Sequence, residues 1–234
     1  MLKKLFPFVL AAAFGGQAVA DEADIRKAME AKLGTKVESV TKSGYMGLYE
    51  VYADGQLLYT DEKMTTIIVG GQLIDAKTMK NVTDERMKKL TAIKFSELPL
   101  ERAIKQVRGD GKRIMATFED PNCGYCKRLA KDLLKLENVT VYTFLYPILS
   151  EDSVRKSKQI WCSSDRAKAW NDWMVDGKAP AGREDCDTSA VTKNQEFGRK
   201  LNISGTPTMF FADGERVPGA MPLPRIEQKL GAAR

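Results

Sequence analysis

Four cysteines are the residues of this chain with the most chemistry in them, and two of them, Cys123 and Cys126, have only Gly124 and Tyr125 between them. The compact apolar run Arg113–Phe118 ahead of the pair reads as a buried strand, and the residues from Cys126 to Leu136 place Leu129, Leu133 and Leu136 on one helical face. A Cys-x-x-Cys pair at such a strand-to-helix junction suits thiol–disulfide exchange. The helix N-terminus offers unpaired backbone N–H groups and partial positive charge to Cys123, which favours the thiolate, and the thiolate is the attacking species. Lys127 and Arg128 add positive charge nearby. Cys126, one turn further into the helix, is expected beneath the first sulfur, more buried, and placed to resolve mixed disulfides. A structural bond and half of a zinc site are the competing readings of the pair.

The other two cysteines, Cys162 and Cys186, stand 24 positions apart with helix-like sequence between them. They read as a structural disulfide whose cross-link would stabilise the fold by ~3 kcal/mol in the loop-entropy picture. A four-cysteine zinc ribbon normally uses two close pairs, and the chain contains no histidine to complete one. The same absence removes Ser-His-Asp and Cys-His catalysis. Asp120 lies close to the reactive pair, but an Asp before Pro121 reads as a turn residue and is left out of the catalytic set. Further on, Gly205-Thr206-Pro207-Thr208 leads into the apolar run Met209-Phe210-Phe211. Taken alone, an X-Pro bond is cis in only about 5–6% of cases, so the bare sequence reads as a trans turn.

Positioning these residues requires a framework, and the chain divides accordingly. Lys3, Lys4, an apolar run from Leu5 to Phe14 and the small residues Ala18-Val19-Ala20 form a signal-peptide pattern over 1–20. No later stretch reaches membrane-spanning length, so the chain after cleavage is expected to be soluble. Without the two signal lysines the 37 basic residues become 35 against 31 acidic, a net charge of +4 spread along the chain, which argues against a nucleic-acid partner.

Residues 21–80 read as a small domain: a helix over 24–33, then short strands at 45–52, 56–60, 65–69 and 72–74 around Asp54-Gly55 and Gly70-Gly71 turns. A core of this size is thin and invites pairing with a second copy. Residues 81–100 read as a linker helix. Residues 101–234 alternate strand and helix, with a second strand at 139–146, helices near 151–162, 165–175 and 188–201, a hairpin at 208–217 and a last helix at 224–230. The fold class is α+β / α/β: a small antiparallel N-terminal domain, a helical linker, and a C-terminal domain with inserted helices.

In order, the signal pattern, the small N-terminal domain, Cys123-Gly124-Tyr125-Cys126 and Thr206-Pro207 ahead of the penultimate strands make the chain resemble the DsbC/DsbG family of periplasmic disulfide isomerases, across essentially its whole mature length. The tetrapeptide and the later Cys162/Cys186 pair lean toward the DsbC side. The resemblance implies a thioredoxin-like catalytic domain, a V-shaped homodimer held by the N-terminal domains, and an uncharged cleft for misfolded, disulfide-containing exported proteins. It implies a cis Pro207 beside the cysteines, reversing the trans reading. Cys123 and Cys126 are then catalytic, and Gly124, Tyr125, Thr206 and Pro207 contact substrate, the Thr206 backbone pairing with an extended segment. No cofactor or metal is implied, and a DsbD-type membrane protein is the expected reductant. One departure stands out: Lys127 occupies a position where relatives often have His.

Disulfide isomerisation with accompanying chaperone activity is therefore the expected function, in the periplasm. A dithiol oxidase or reductase of the same fold and a polypeptide-binding chaperone are the alternatives, with a zinc-binding protein a distant third.

Overall fold

The computed structural model describes residues 22–181 and 183–233; the expected signal segment, 1–20, lies outside them. Contacts divide the chain into two compact units, one ending at Gly71 and the other beginning at Gln72. No helix among the described residues is long and apolar enough to cross a membrane.

In the first unit, helix α1 (Glu22–Leu33) carries Glu22 and Asp24 in its first turn and Lys32 in its last, matching the helix dipole. Gly34 follows at φ +69°, a helix-terminating conformation that favours glycine. Ile25 and Met29, four residues apart, are fully buried and meet Val37, Val40, Val51 and Leu58. The strands β1 (Val37–Lys42), β2 (Tyr49–Ala53), β3 (Gln56–Thr60) and β4 (Ile67–Ile68) form an antiparallel sheet in chain order. Strand β1 is absent from the sequence-based reading. Its register shifts between Val37 and Ser39, so its two inward residues, Val37 and Val40, are three apart and break the alternation that marks a strand. The strand expected from 45 begins only at Tyr49, because Met46 and Gly47 both take positive φ in the preceding turn. Residues 72–74 form no strand beyond a single Ile74–Asn81 bridge.

The second unit opens with helix α2 (Val82–Thr91), capped by Asn81, whose Oδ1 accepts from the Asp84 N–H at 3.0 Å. Phe95 and Leu98 then enter an aromatic core with Phe118, Phe144, Tyr146 and Phe210. The Ile93 N–H donates to the Gly214 carbonyl at 3.2 Å, and Gly214 is forced to be glycine: it sits at φ +86°, and a Cβ there would lie 2.2 Å from the Ile93 oxygen.

Five strands build the main sheet: β5 (Ile104–Arg108), β6 (Arg113–Glu119), β7 (Val139–Leu145), β8 (Thr208–Phe211) and β9 (Arg216–Pro218), in the order β5-β7-β6-β8-β9. Only β6 and β7 are parallel, joined through α3 (Gly124–Leu133) as a βαβ unit. Edge strand β5, which the sequence reading does not contain, has Ile104 buried and Val107 half exposed, too little contrast to stand out. Beneath α3, Leu129 and Leu133 pack with Met115, Val141 and Phe211, together with Ile226 and Leu230 of α7 (Leu223–Ala232). The inserted helices α4 (Glu151–Trp161), α5 (Arg166–Met174) and α6 (Ser189–Lys200) close a third cluster around Trp161, Trp170 and Met174 that reaches Cys123 and Cys126. This is the mixed-sheet α/β domain with helical insertions that the sequence calls for.

Candidate active site

Strand β6 ends at Glu119, the chain turns through Asp120-Pro121-Asn122, and Cys123 becomes the N-cap of α3. The turn is locked by one carboxylate. Asp120 is fully buried, and its Oδ1 accepts from the Asn122 N–H at 2.7 Å and the Ser153 hydroxyl at 2.8 Å. Its Oδ2 accepts from the N–H groups of Ile148 and Leu149 at 2.8 and 2.9 Å. With four donors on two oxygens, Asp120 works as the turn residue the sequence indicates and holds the 148–149 loop to the same anchor as the cysteines.

Being the N-cap, Cys123 does with sulfur what a serine cap does with oxygen: its Sγ accepts from the Cys126 N–H at 3.4 Å. The same thiol faces the Thr206 carbonyl at 3.3 Å, and the Thr206–Pro207 bond is cis. The cysteine pair and the Thr206-Pro207 loop, 83 positions apart, are thus brought together. Cys123 is 6% exposed and Cys126 0%; the order is that expected, although the outer cysteine is itself largely buried. Gly124 and Tyr125, the latter 59% exposed, form the outer rim.

Burial pushes the Cys126 thiol well above the ordinary range, reinforced by the nearby Glu119 charge and by Cys123. Glu119 itself is fully buried, and neither carboxyl oxygen has a hydrogen-bond partner among the described residues. Desolvation raises it to about 8, against a lowering effect of the nearby Thr117 hydroxyl. A protonatable carboxyl therefore lies beside the inner cysteine. The sequence reading stops the strand at Phe118 and passes over Glu119; the available signal was its place in the inward series Met115, Thr117, Glu119, where a charge is unexpected.

The two cations expected near the sulfur each rest on an aromatic ring. Arg128 lies 4.3 Å from the Tyr125 ring centre, and the Lys127 ammonium lies 4.0 Å from that of Trp173. Cys162 and Cys186 are bonded to each other, S–S 1.98 Å, which removes both from any four-cysteine metal set. Their bridge joins the end of α4 to the segment before α6 and encloses α5.

Residues 100–234 match the family described as thioredoxin-like domain, and residues 16–84 match the disulfide bond isomerase protein N-terminal domain. The thiol:disulfide interchange protein DsbC of Escherichia coli K12 is 30% identical over 98% of this chain and 96% of its own length. The chain belongs to the DsbC family. The Bordetella pertussis protein named probable thiol:disulfide interchange protein DsbC is 53% identical over 84% of this chain and 69% of its own. A crystal structure of a disulfide interchange protein from Neisseria gonorrhoeae, 43% identical, superposes with a TM-score of 0.56, covering 58% of this chain and 98% of that one. The two DsbC family matches end at 84, within the first turn of α2, and resume at 100, leaving the rest of α2 and the segment after it between them. As a DsbC family member the chain is a thiol–disulfide oxidoreductase of the disulfide isomerase type.

Proposed function

We propose that this chain rearranges incorrect disulfides in exported proteins, with Cys123 as nucleophile. The observation that carries this reading is the placement of Cys123 at the head of α3, facing the Thr206 carbonyl of a cis Thr206–Pro207 loop and backed by a fully buried Cys126. The Cys123 thiolate attacks one sulfur of a client disulfide; a Cys123–client bond forms and a client thiolate leaves. A second client thiolate then attacks the client sulfur of that bond and releases Cys123, so the client is re-paired with no net oxidation. Gly124 and Tyr125 on the rim, and the backbone of Thr206 beside Pro207, take an extended client segment by strand addition.

When no client thiol arrives, Cys126 attacks Cys123, the client leaves reduced, and a Cys123–Cys126 disulfide remains. That attack needs the Cys126 proton removed, and ionised Glu119 is the neighbouring group able to accept it. A membrane reductase of the DsbD type then restores the dithiol. The N-terminal domain (21–80) serves as the dimer contact and 101–234 as catalytic domain; within the expected linker 81–100 only Val82–Thr91 is helical, and Phe95 and Leu98 pack into the catalytic core. The isoleucine edge of β4 and the exposed Val69, 65% accessible, are consistent with pairing to a second copy. The cysteine chemistry and the signal pattern support a periplasmic location.

The deciding assay is refolding of a scrambled, fully oxidised multi-disulfide protein by the reduced protein. Native activity should return with wild type and fall to background with Cys123→Ala. Recovery only from a reduced client would make the protein an oxidase, and Cys123→Ala that loses nothing in the scrambled-client assay would overturn the role of Cys123; a chaperone would show as suppression of the aggregation of a thiol-free client that Cys123→Ala retains.

A further inference from the structure

Trp173 reaches both ends of the exchange loop from α5, a helix the sequence reading did not connect with the site. Its Nε1–H donates to the Pro121 carbonyl at 2.6 Å, two residues before Cys123. Its ring centre lies 4.0 Å from the Lys127 ammonium, four residues after Cys123. The Lys156 ammonium also sits on this ring, at 4.6 Å, but it is paired with Asp152, a carboxylate shared with Arg155 that also accepts from Asn122 Nδ2 at 2.8 Å. Lys127 forms no ion pair with a carboxylate among the described residues, so the indole is its seat. The seat is firm: the next residue, Met174, is buried, and the Cys162–Cys186 bond closes the segment that carries α5.

Residues four apart on a helix share a face, so a released Lys127 side chain could swing toward the Cys123 sulfur. A cation there would stabilise the thiolate and, through it, the reduced form of the pair. We propose that Trp173 is a positioning residue of the exchange centre, holding the Lys127 ammonium on its ring and away from Cys123, and so keeping the Cys123–Cys126 pair less oxidising than its neighbouring charges would make it. This deepens the functional reading above and rests on it.

The test is the equilibrium of the full-length protein with glutathione, in which the dithiol and one oxidised glutathione give the Cys123–Cys126 disulfide and two reduced glutathiones. Trp173→Leu should shift this toward the dithiol by about fivefold. Trp173→Phe, which keeps a ring but loses the N–H, should stay within about twofold of wild type, as should Lys127→Met. In the double variant Trp173→Leu/Lys127→Met the shift should vanish. A shift that survives in the double variant, one equally large in Trp173→Phe, or none in Trp173→Leu overturns the proposal; Trp173→Met replaces the leucine variant if that one does not fold. A wild-type protein that never equilibrates with glutathione would instead defeat the redox reading itself.

Discussion

Glu119 makes the residue-scale argument most directly, because its carboxyl is buried without a hydrogen-bond partner among the described residues and holds its proton up to about pH 8. In the unfolded chain it would lose that proton near 4.5. The folded state therefore binds the extra proton between these values. The stability this brings is fully present below about 4.5 and is lost as pH rises toward 8, with a slope of at most ~1.4 kcal/mol per pH unit. Glu119→Gln should flatten that slope, as urea unfolding of the reduced protein at several pH values in this window would show; equal slopes in the two proteins would contradict the assignment. The same variant should slow release of a trapped Cys123 mixed disulfide roughly tenfold or more, since the inner thiol loses its proton acceptor. The cysteine pair was legible because two residues of spacing at a strand-to-helix junction already specify its chemistry. Glu119 showed only as a charge in the inward series of β6, and nothing local marks Trp173: each acts through what the fold places beside it.

Among the elements, the inserted helices depend on one covalent tie and one missing side chain. The Cys162–Cys186 bond encloses α5, and Trp161 beside it donates from Nε1 to the Asp187 carbonyl at 3.1 Å, spanning the same ends. This bond should survive a mild dithiol that fully opens Cys123–Cys126, as mass spectrometry after alkylation would reveal; both pairs opening together would point to a second redox centre. In α6, Gly198 lies against Tyr146, whose hydroxyl donates to the Ile203 carbonyl at 2.8 Å, and a Cβ on Gly198 would come within 2.3 Å of the ring. Gly198→Ala should cost about 1–3 kcal/mol in urea unfolding by forcing the ring aside, despite alanine's better helix propensity. The strands and helices around the cysteines were readable because β6 and β7 are rich in apolar, β-branched and aromatic residues and α3 keeps its leucines on one face. Strands β1 and β5 were hidden, the first by its bulge and the second by its edge position, where the inward–outward contrast fades.

For the whole molecule, the opening stretch of the second unit decides which fragments can stand alone. Phe95 and Leu98, at 8% and 4% exposure, belong to the aromatic core, and Ile93 is bonded to Gly214. A chain beginning at residue 72 should keep this packing, whereas one beginning at 100 leaves holes where Phe95 and Leu98 were, at about 3–5 kcal/mol for the phenylalanine alone. Thermal unfolding of the two fragments should differ by roughly 10 °C or more in favour of the longer. Similar melting temperatures would mean that Phe95 and Leu98 add little. Both fragments should be monomeric by sedimentation and should lose rearrangement of scrambled proteins before they lose reduction of simple disulfides. The bond from Ile93 to Gly214 also has a meaning for anyone recombining DsbC relatives. A graft joined between Gly71 and Gln72 transfers each core entire, while one joined at 92–100 mates one parent's Phe95 with another parent's hairpin glycine and must match them both.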